Sequence, residues 1–68
     1  MFIVIEAQTH SNGDVNVFTN SYGDRTSADN KYYTILADAA VSTVFIHSAT
    51  MITSEGYYIK SEHYEHSK

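Results

Sequence analysis

The residues best suited to chemistry lie near the end of the chain, on a predicted strand that alternates charged and aromatic side chains. Residues two apart share one face of a strand, so one face would carry Tyr58, Lys60, Glu62, Tyr64 and His66. Tyrosines can stack on a base, and a lysine can hold a phosphate. The basic partner of Lys60 would be Arg25 or Lys31, from a neighbouring segment or a second subunit. These seven residues form the predicted ligand-binding site, and replacing Lys60 with alanine should abolish binding.

The same strand has a second interpretation. Charged side chains on an edge strand prevent unwanted pairing with other strands, and Lys60 and Glu62 could serve only that purpose. The shared face also depends on the register of the last hairpin. A loop at residues 54–56 would place Thr50 opposite Lys60 and Ser48 opposite Glu62. A slip of one residue would exchange the two faces.

The histidines suggest a metal site, but their spacing argues against one. His63 and His66 are three residues apart, so they face opposite sides of a strand. His47 lies opposite His63 in the predicted hairpin and is better placed. Two imidazoles alone make a poor zinc site, which needs four ligands or three and a water. We therefore predict no metal and no cofactor.

Catalytic motifs are also lacking in the sequence. It contains no cysteine, no G-x-S-x-G segment and no glycine-rich phosphate loop. Glu62 with His66 could form an acid–base pair, but such pairs arise by chance. We therefore predict that the protein is not an enzyme.

One stretch, residues 27–42, has a sustained helical period and organises the elements around it. Its apolar residues recur at three- and four-residue steps on one face, namely Tyr32, Ile35, Leu36, Ala39 and Ala40. Thr26 and Ser27 can accept hydrogen bonds from the first free backbone N–H groups. Asp29 would lie in the first turn, where the helix dipole favours a carboxylate.

Alternating, β-branched segments on both sides of the helix predict four strands, at residues 2–9, 15–22, 43–53 and 57–66. The expected fold is α+β: a single β-β-α-β-β domain over residues 1–68, with an antiparallel sheet of two hairpins packed on one helix.

The first hairpin turns at Asn12-Gly13, residues that tolerate positive φ. A three-residue loop would pair Thr9 with Val17. That register gathers the apolar side chains of both strands on one face, namely Ile3, Ile5, Ala7, Val15 and Val17.

Two observations predict a homo-oligomer. A chain of 68 residues buries only about 60% of its surface on folding, and without cysteine it has no disulfides. The third strand is apolar on both faces, with Val44, Ile46 and Ile52 on one and Phe45, Ala49 and Met51 on the other. One helix cannot cover both faces of a small sheet, so a second copy should cover the other.

Charge and hydropathy limit the partners. The net charge is −4 with only four Lys and Arg residues, so we expect no binding to long nucleic acids. The apolar residues 2–5 are too few for a signal sequence or a membrane span. We therefore expect a soluble cytoplasmic protein with no membrane partner.

From Lys31 onward the chain resembles a family of small phage and prophage proteins of Gram-positive bacteria. The matching residues are Lys31, Tyr32, Leu36, Ala37, Ala39, Ala40, Ser42, His47, Ala49, Gly56, Lys60, Glu62, Tyr64 and His66. The first hairpin is similar in kind through Val4, Gln8, Thr9 and Gly13. The chain departs from the family at Asp38, where alanine is expected, and at Phe45 and Ile46, where the family has smaller residues. The resemblance implies a phage accessory protein in the host cytoplasm.

Together these features predict a non-catalytic binding module. The first hypothesis is an oligomeric anti-defence protein that sequesters a nucleotide immune signal of the host in a pocket at a subunit interface. The alternative is a protein–protein inhibitor of a host defence or regulatory protein, using its acidic surface or its tyrosines as interface anchors.

Overall fold

In the computed structural model, which describes residues 1–66, four strands and one helix form an α+β fold. Their order is β1 (Phe2–Thr9), β2 (Val15–Tyr22), α1 (Arg25–Ala40), β3 (Ile46–Thr53) and β4 (Tyr58–Glu65). The predicted β-β-α-β-β order and the two antiparallel hairpins are confirmed. Within residues 1–66, no helix has both the length and the apolar character needed to cross a lipid bilayer.

The strands form one sheet in the order β2-β1-β3-β4, and every neighbouring pair is antiparallel. The central pair, β1 and β3, joins the two hairpins. Strand β3 begins at Ile46, later than predicted, so Val44 and Phe45 lie before it. Ala49 and Met51 are buried on its α1 side, whereas Ile46 and Ile52 lie on the side that α1 does not cover. Strand β4 lies at an edge of the sheet, as the second interpretation of its charged residues requires.

Helix α1 begins and ends two residues earlier than the periodicity predicts. The prediction that Thr26 and Ser27 cap it is wrong, because the carboxylate of Asp24 accepts the Ser27 backbone N–H at 2.9 Å. An aspartate in an extended conformation is a strong N-cap, so the helix starts as soon as the chain leaves that residue. Asp29 consequently lies beyond the first turn.

The core lies between α1 and one side of the sheet. Its buried residues are Val4, Ala28, Tyr32, Ile35, Leu36, Ala49 and Met51, and the partly buried Phe2, Tyr22 and Ile59 pack around them. Alanines on both elements allow α1 to approach the sheet closely, and Tyr32 fills the remaining space as one of the largest fully buried side chains.

The predicted register of the first hairpin is wrong by two residues. Thr9 pairs with Val15, not with Val17. The backbone N–H of His10 donates to the Asp14 carbonyl at 2.8 Å, so the ladder extends further and the loop turns at Gly13, whose φ is 97°. A shift of two residues leaves the same side chains on each face.

The predicted register of the second hairpin is wrong by one residue along most of its length. The turn itself is as predicted, because Thr53 N–H donates to the Tyr57 carbonyl at 2.8 Å and Gly56 has a φ of 96°. A bulge opposite Met51 and Ile52 then adds one residue to β4. The extra residue is accommodated because Ile59 packs against the core.

The bulge exchanges the faces of β4. Thr50 pairs with Ser61, and Ser48 pairs with His63. The predicted contact between His47 and His63 is also wrong, because His47 lies opposite Tyr64. The predicted single face therefore divides. Lys60, Glu62 and Tyr64 lie on the side that packs against α1, whereas Tyr58 lies opposite Ile52 on the other side.

The side of the sheet away from α1 is termed the open face. From the register and the alternation of side chains, it consists of Ile3, Ile5, Ala7, Thr9, Val15, Val17, Thr19, Ser21, Ile46, Ser48, Thr50, Ile52, Tyr58, Ser61, His63 and Glu65. The apolar residues that the sequence grouped on one face lie on this side, and Val15 and Val17 are 55% and 58% exposed.

Candidate functional site

The first polar cluster surrounds Lys60, which connects β4 to α1. Its ammonium donates to the Tyr33 hydroxyl and pairs with an Asp29 carboxylate oxygen, both at 3.0 Å. The same nitrogen lies 4.7 Å from the ring centre of Tyr32 and 4.4 Å from that of Tyr33. Arg25 donates to the same Asp29 oxygen at 3.2 Å. The predicted phosphate-binding cation is thus already engaged within its own chain.

Protonation in this cluster follows from these contacts. The hydrogen bond to Tyr33, followed by the bond and charge of Asp29, raises the pKa of Lys60 above its ordinary value against the opposing effect of desolvation. The hydrogen bond from Lys60, with a further contribution from Arg25, lowers the pKa of Asp29. Both groups are therefore held in their charged forms, which favours a persistent ion pair between α1 and β4.

Tyr32 joins this cluster to the core. Its ring is fully buried, and its hydroxyl donates to a Glu62 carboxylate oxygen at 3.4 Å. Burial, followed by the negative charge of Glu62, raises the pKa of Tyr32 to about 12. The phenol is therefore neutral under ordinary conditions, and it acts as a packing residue with one polar contact.

The second polar cluster lies beneath α1 in the centre of the sheet. His47 is only 4% exposed, and its Nε2 lies 2.6 Å from a Glu6 carboxylate oxygen. The Gln8 amide donates to the same oxygen at 3.0 Å. The His47 Nδ1 is buried and has no hydrogen-bond partner within residues 1–66. The His47 side chain is almost fully buried and that of Glu6 is 18% exposed, and their contact joins β1 to β3, so we expect the pair to stabilise the pairing of these strands.

Sequence reasoning missed Glu6 and Gln8 as members of a polar cluster. The sequence does contain an indication of this cluster, because both residues are polar and lie at alternate positions of a mostly apolar strand. Their partner could be found only from the pairing of β1 with β3, which places Gln8 directly opposite His47. That long-range pairing could not be predicted from local periodicity.

A pocket of about 410 Å³ opens at one end of the sheet. The pocket lies between the β1–β2 loop, the segment that joins α1 to β3, and the first residue after β4. The residues that line it are His10, Ser11, Ser42, Thr43, Val44, Phe45 and His66. They supply hydroxyl groups, two imidazoles and one aromatic ring, and none of these described residues is acidic.

Hydrogen bonds hold the walls of this pocket. The Ser42 hydroxyl accepts the Val44 backbone N–H at 3.0 Å, which shapes the segment after α1. The His66 backbone N–H donates to the Phe45 carbonyl at 2.7 Å, and the His66 Nε2 lies 2.7 Å from the Ala39 carbonyl. In that contact Nε2 must be the donor, because a backbone carbonyl oxygen only accepts hydrogen bonds.

The opposite wall belongs to the first hairpin. The His10 Nε2 lies 3.0 Å from the Asn16 amide nitrogen. The Asn12 side-chain carbonyl accepts the Asp14 backbone N–H at 3.0 Å and orders the loop beside Ser11. These bonds fix one wall of the pocket independently of α1.

The structure separates the seven predicted binding residues into four places. Arg25 and Lys60 meet at Asp29, with Glu62 beside Tyr32. Lys31 lies on the β1 side of α1, where its charge contributes to the lowered pKa of Glu6. The two remaining tyrosines lie apart, because the Tyr58 hydroxyl is 3.3 Å from Ser61 on the open face, whereas Tyr64 stacks on His66.

His66 alone among the seven lines the pocket. Within residues 1–66, no three side chains of His, Asp or Glu are grouped closely enough to hold a metal ion. Comparison with known protein families, curated proteins and solved structures finds no match to this chain.

Proposed function

We propose that this protein is a non-catalytic module that binds a small nucleotide in the pocket at the end of the sheet. The observation that carries the proposal is the pocket itself, which combines an aromatic ring with hydroxyls and imidazoles and has no acidic residue among its described lining. In a chain of net charge −4, a pocket lined without carboxylates is better suited to an anionic ligand than a surface that carries acidic residues.

The two walls favour different parts of a nucleotide. Phe45 and Val44 offer an apolar surface for a base, and base–aromatic stacking is worth about 1–3 kcal/mol. The C-terminal end of α1 carries partial negative charge and disfavours phosphate. The phosphate therefore belongs on the opposite wall, at His10 and Ser11, with the ribose near the hydroxyls of Ser42 and Thr43.

The biological role proposed for this binding is capture of a host nucleotide immune signal by a phage accessory protein in the host cytoplasm. The support is the resemblance of residues from Lys31 onward to small phage and prophage proteins. Sequestration requires a binding site but no chemical step. The carboxylate–imidazole pair of Glu6 and His47, which could transfer a proton, does not line the pocket, and this agrees with a role in binding alone. We also propose that the protein is a homo-oligomer whose pocket lies at the border of the subunit interface.

A thermal-shift screen against linear and cyclic nucleotides tests the proposal. A ligand at a hundred times its dissociation constant adds about 2.7 kcal/mol to the free energy of unfolding. In a domain of this size, that gain raises the melting midpoint by about 10 °C or more. A panel that leaves the midpoint unchanged would contradict nucleotide binding.

A matched pair of substitutions tests whether the nucleotide binds in the pocket. Thr43→Trp fills the pocket and should abolish the shift. Thr34→Trp introduces the same bulk at an exposed position of α1 and should preserve it. Equal responses of the two variants would show that the ligand binds elsewhere.

Lys60→Ala distinguishes the pocket from the site predicted on β4. The loss of contacts with Asp29 and Tyr33 should lower the melting midpoint slightly, since partly exposed ion pairs contribute little. Nucleotide affinity, measured by calorimetry, should remain unchanged. If a folded Lys60→Ala protein lost nucleotide affinity, the binding site would be the predicted face of β4 and not the pocket.

The exposed tyrosines favour a second candidate function, inhibition of a host defence or regulatory protein. Tyr33, Tyr57 and Tyr58 are 54%, 73% and 66% exposed, and tyrosine is enriched among residues that anchor protein interfaces. A stoichiometric protein partner captured from nuclease-treated host lysate, and lost on substitution of these tyrosines, would support it.

A further inference from the structure

The open face has an unusual composition for the free side of an antiparallel sheet. Such sheets normally bury their apolar side and expose their charged side. Here, within strands β1, β2 and β3, no residue of the open face is charged, and every one is Ile, Val, Ala, Thr or Ser. The polar residues Glu6, Gln8 and His47 of the same strands instead lie on the side beneath α1.

We propose that the open face is the interface between two copies of this chain, packed sheet against sheet. The inference rests on the proposed homo-oligomer and not on the nucleotide. It identifies which surface the copies share, and it assigns a function to the aliphatic side chains that α1 leaves uncovered.

The first argument is the position of the aliphatic residues. Ile3 and Ile52 are direct partners at one end of the sheet, and Thr9 lies between Val15 and Ile46 at the other. Ile5 lies in the middle of β1, flanked by Thr19 and Thr50. The only charged residue of the open face, Glu65, lies on the edge strand β4. The aliphatic residues therefore extend along β1, β3 and the start of β2, and the most polar side chains of the open face lie together on the edge strand β4.

The second argument is self-complementarity. A twofold axis that runs across the strands, between the two sheets, stacks each strand over its own copy in the reverse direction. Ile5 of one copy then faces the small Ala7 of the other, and Ile52 faces Ile46. At the Ile5–Ala7 contact a large residue lies opposite a small one, which allows two sheets to interdigitate about 10 Å apart, and the Ile52–Ile46 contact adds aliphatic area. The other in-plane axis would place Val15 against Glu65, which is unfavourable.

The third argument is area. Four strands about 4.8 Å apart, each of eight residues rising about 3.3 Å, cover roughly 500 Å². Two copies then bury about 1,000 Å², the lower limit for a specific interface. The pairing also brings the turn between β3 and β4 of one copy towards the pocket end of the other, as a site bordering the interface requires.

The edge strand β2 is the competing surface. Its eight residues carry no charge, and such an edge can pair with another strand. Edge pairing, however, would leave the apolar open face uncovered in both copies. We therefore assign the interface to the open face, and the variants below separate the two.

Sedimentation velocity across the micromolar range tests the assignment. Wild type should have twice the monomer mass of 7.6 kDa. Ile5→Lys places a charge at the centre of the interface and should give a folded monomer. Thr50→Lys should do the same, and it replaces a residue that is already polar. Val41→Lys, at a position 82% exposed on the end of α1, should remain dimeric.

Each other outcome overturns the proposal. A wild type that is monomeric throughout the range would exclude any dimer of useful affinity. Dimers that persist in both Ile5→Lys and Thr50→Lys, confirmed as folded by circular dichroism, would exclude the open face. If Phe18→Lys alone gives monomers, the interface is the β2 edge. Nucleotide affinity is measured separately, so the failure of one proposal is distinguishable from that of the other.

Discussion

Replacing Tyr32 with alanine should remove a large share of the protein's free energy of unfolding. The ring is fully buried at the centre of the core between α1 and the sheet. Truncating a large buried aromatic costs about 3–5 kcal/mol, because transfer energy is lost and a cavity remains. A domain of this length has a total stability of about 3–10 kcal/mol. Urea titration followed by circular dichroism measures the loss.

Two variants show whether this loss comes from packing. Tyr32→Phe keeps the ring beneath the Lys60 ammonium and removes only the 3.4 Å bond to Glu62, so it should cost no more than about 1 kcal/mol. Tyr57→Ala removes a tyrosine that is 73% exposed and should change stability little. If Tyr32→Ala is as stable as Tyr57→Ala, the described core is wrong.

The second large effect is expected from Glu6→Ala. The substitution removes the 2.6 Å contact to His47 and leaves an almost fully buried imidazole without a partner at either nitrogen. An unsatisfied buried polar group costs about 1–3 kcal/mol, and more if it is charged. Gln8 also loses the carboxylate to which it donates. Urea unfolding of this variant, compared with Glu55→Ala in the exposed β3–β4 turn, measures the cost.

The contribution of Glu6 to the free energy of unfolding should decrease as the pH falls into the acid range. Burial raises its pKa, but hydrogen bonds from His47 and Gln8 and the charges of His47 and Lys31 outweigh burial and lower it below the ordinary value of 4.5. A lowered pKa in the folded state stabilises the fold above pH 4.5, and this contribution is lost as the pH falls through the folded-state value.

The difference between wild type and Glu6→Gln isolates that contribution from the other carboxylates. The stability advantage of wild type should be full near neutral pH and should decrease in acid below about pH 4.5. Denaturant titrations at several pH values measure it. An advantage that stays constant, or grows in acid, would contradict the carboxylate–imidazole pair.

The order of elements could be predicted because it depends on local patterns. The three- and four-residue steps around Tyr32 indicate a helix, and the β-branched alternation on both sides indicates strands. The registers of the strand pairs cannot be predicted from the pattern of apolar residues alone. The turn at Gly56 was predictable, yet the bulge that follows it forms because Ile59 can pack on the core, a fact of tertiary structure.

The polar site was harder to predict for the same reason. The partners of Lys60 are Asp29 and Tyr33, on a helix about thirty residues away, and no spacing in the sequence reveals them. The pocket is formed by three connections that have no periodicity, so only His66, adjacent to the conspicuous last strand, was among the predicted residues. The apolar residues of the open face were recognised as a group, but which side α1 covers was not.

The most direct test of the central claim is a nuclear magnetic resonance titration of the ¹⁵N-labelled protein with the nucleotide that gives the largest thermal shift. Binding in the pocket should move the backbone amide signals of His10, Ser11, residues 42–45 and His66, and leave those of Asp29 and Lys60 unchanged. Changes centred on Lys60 and Tyr33, or no changes at saturating nucleotide, would contradict the pocket as the functional site.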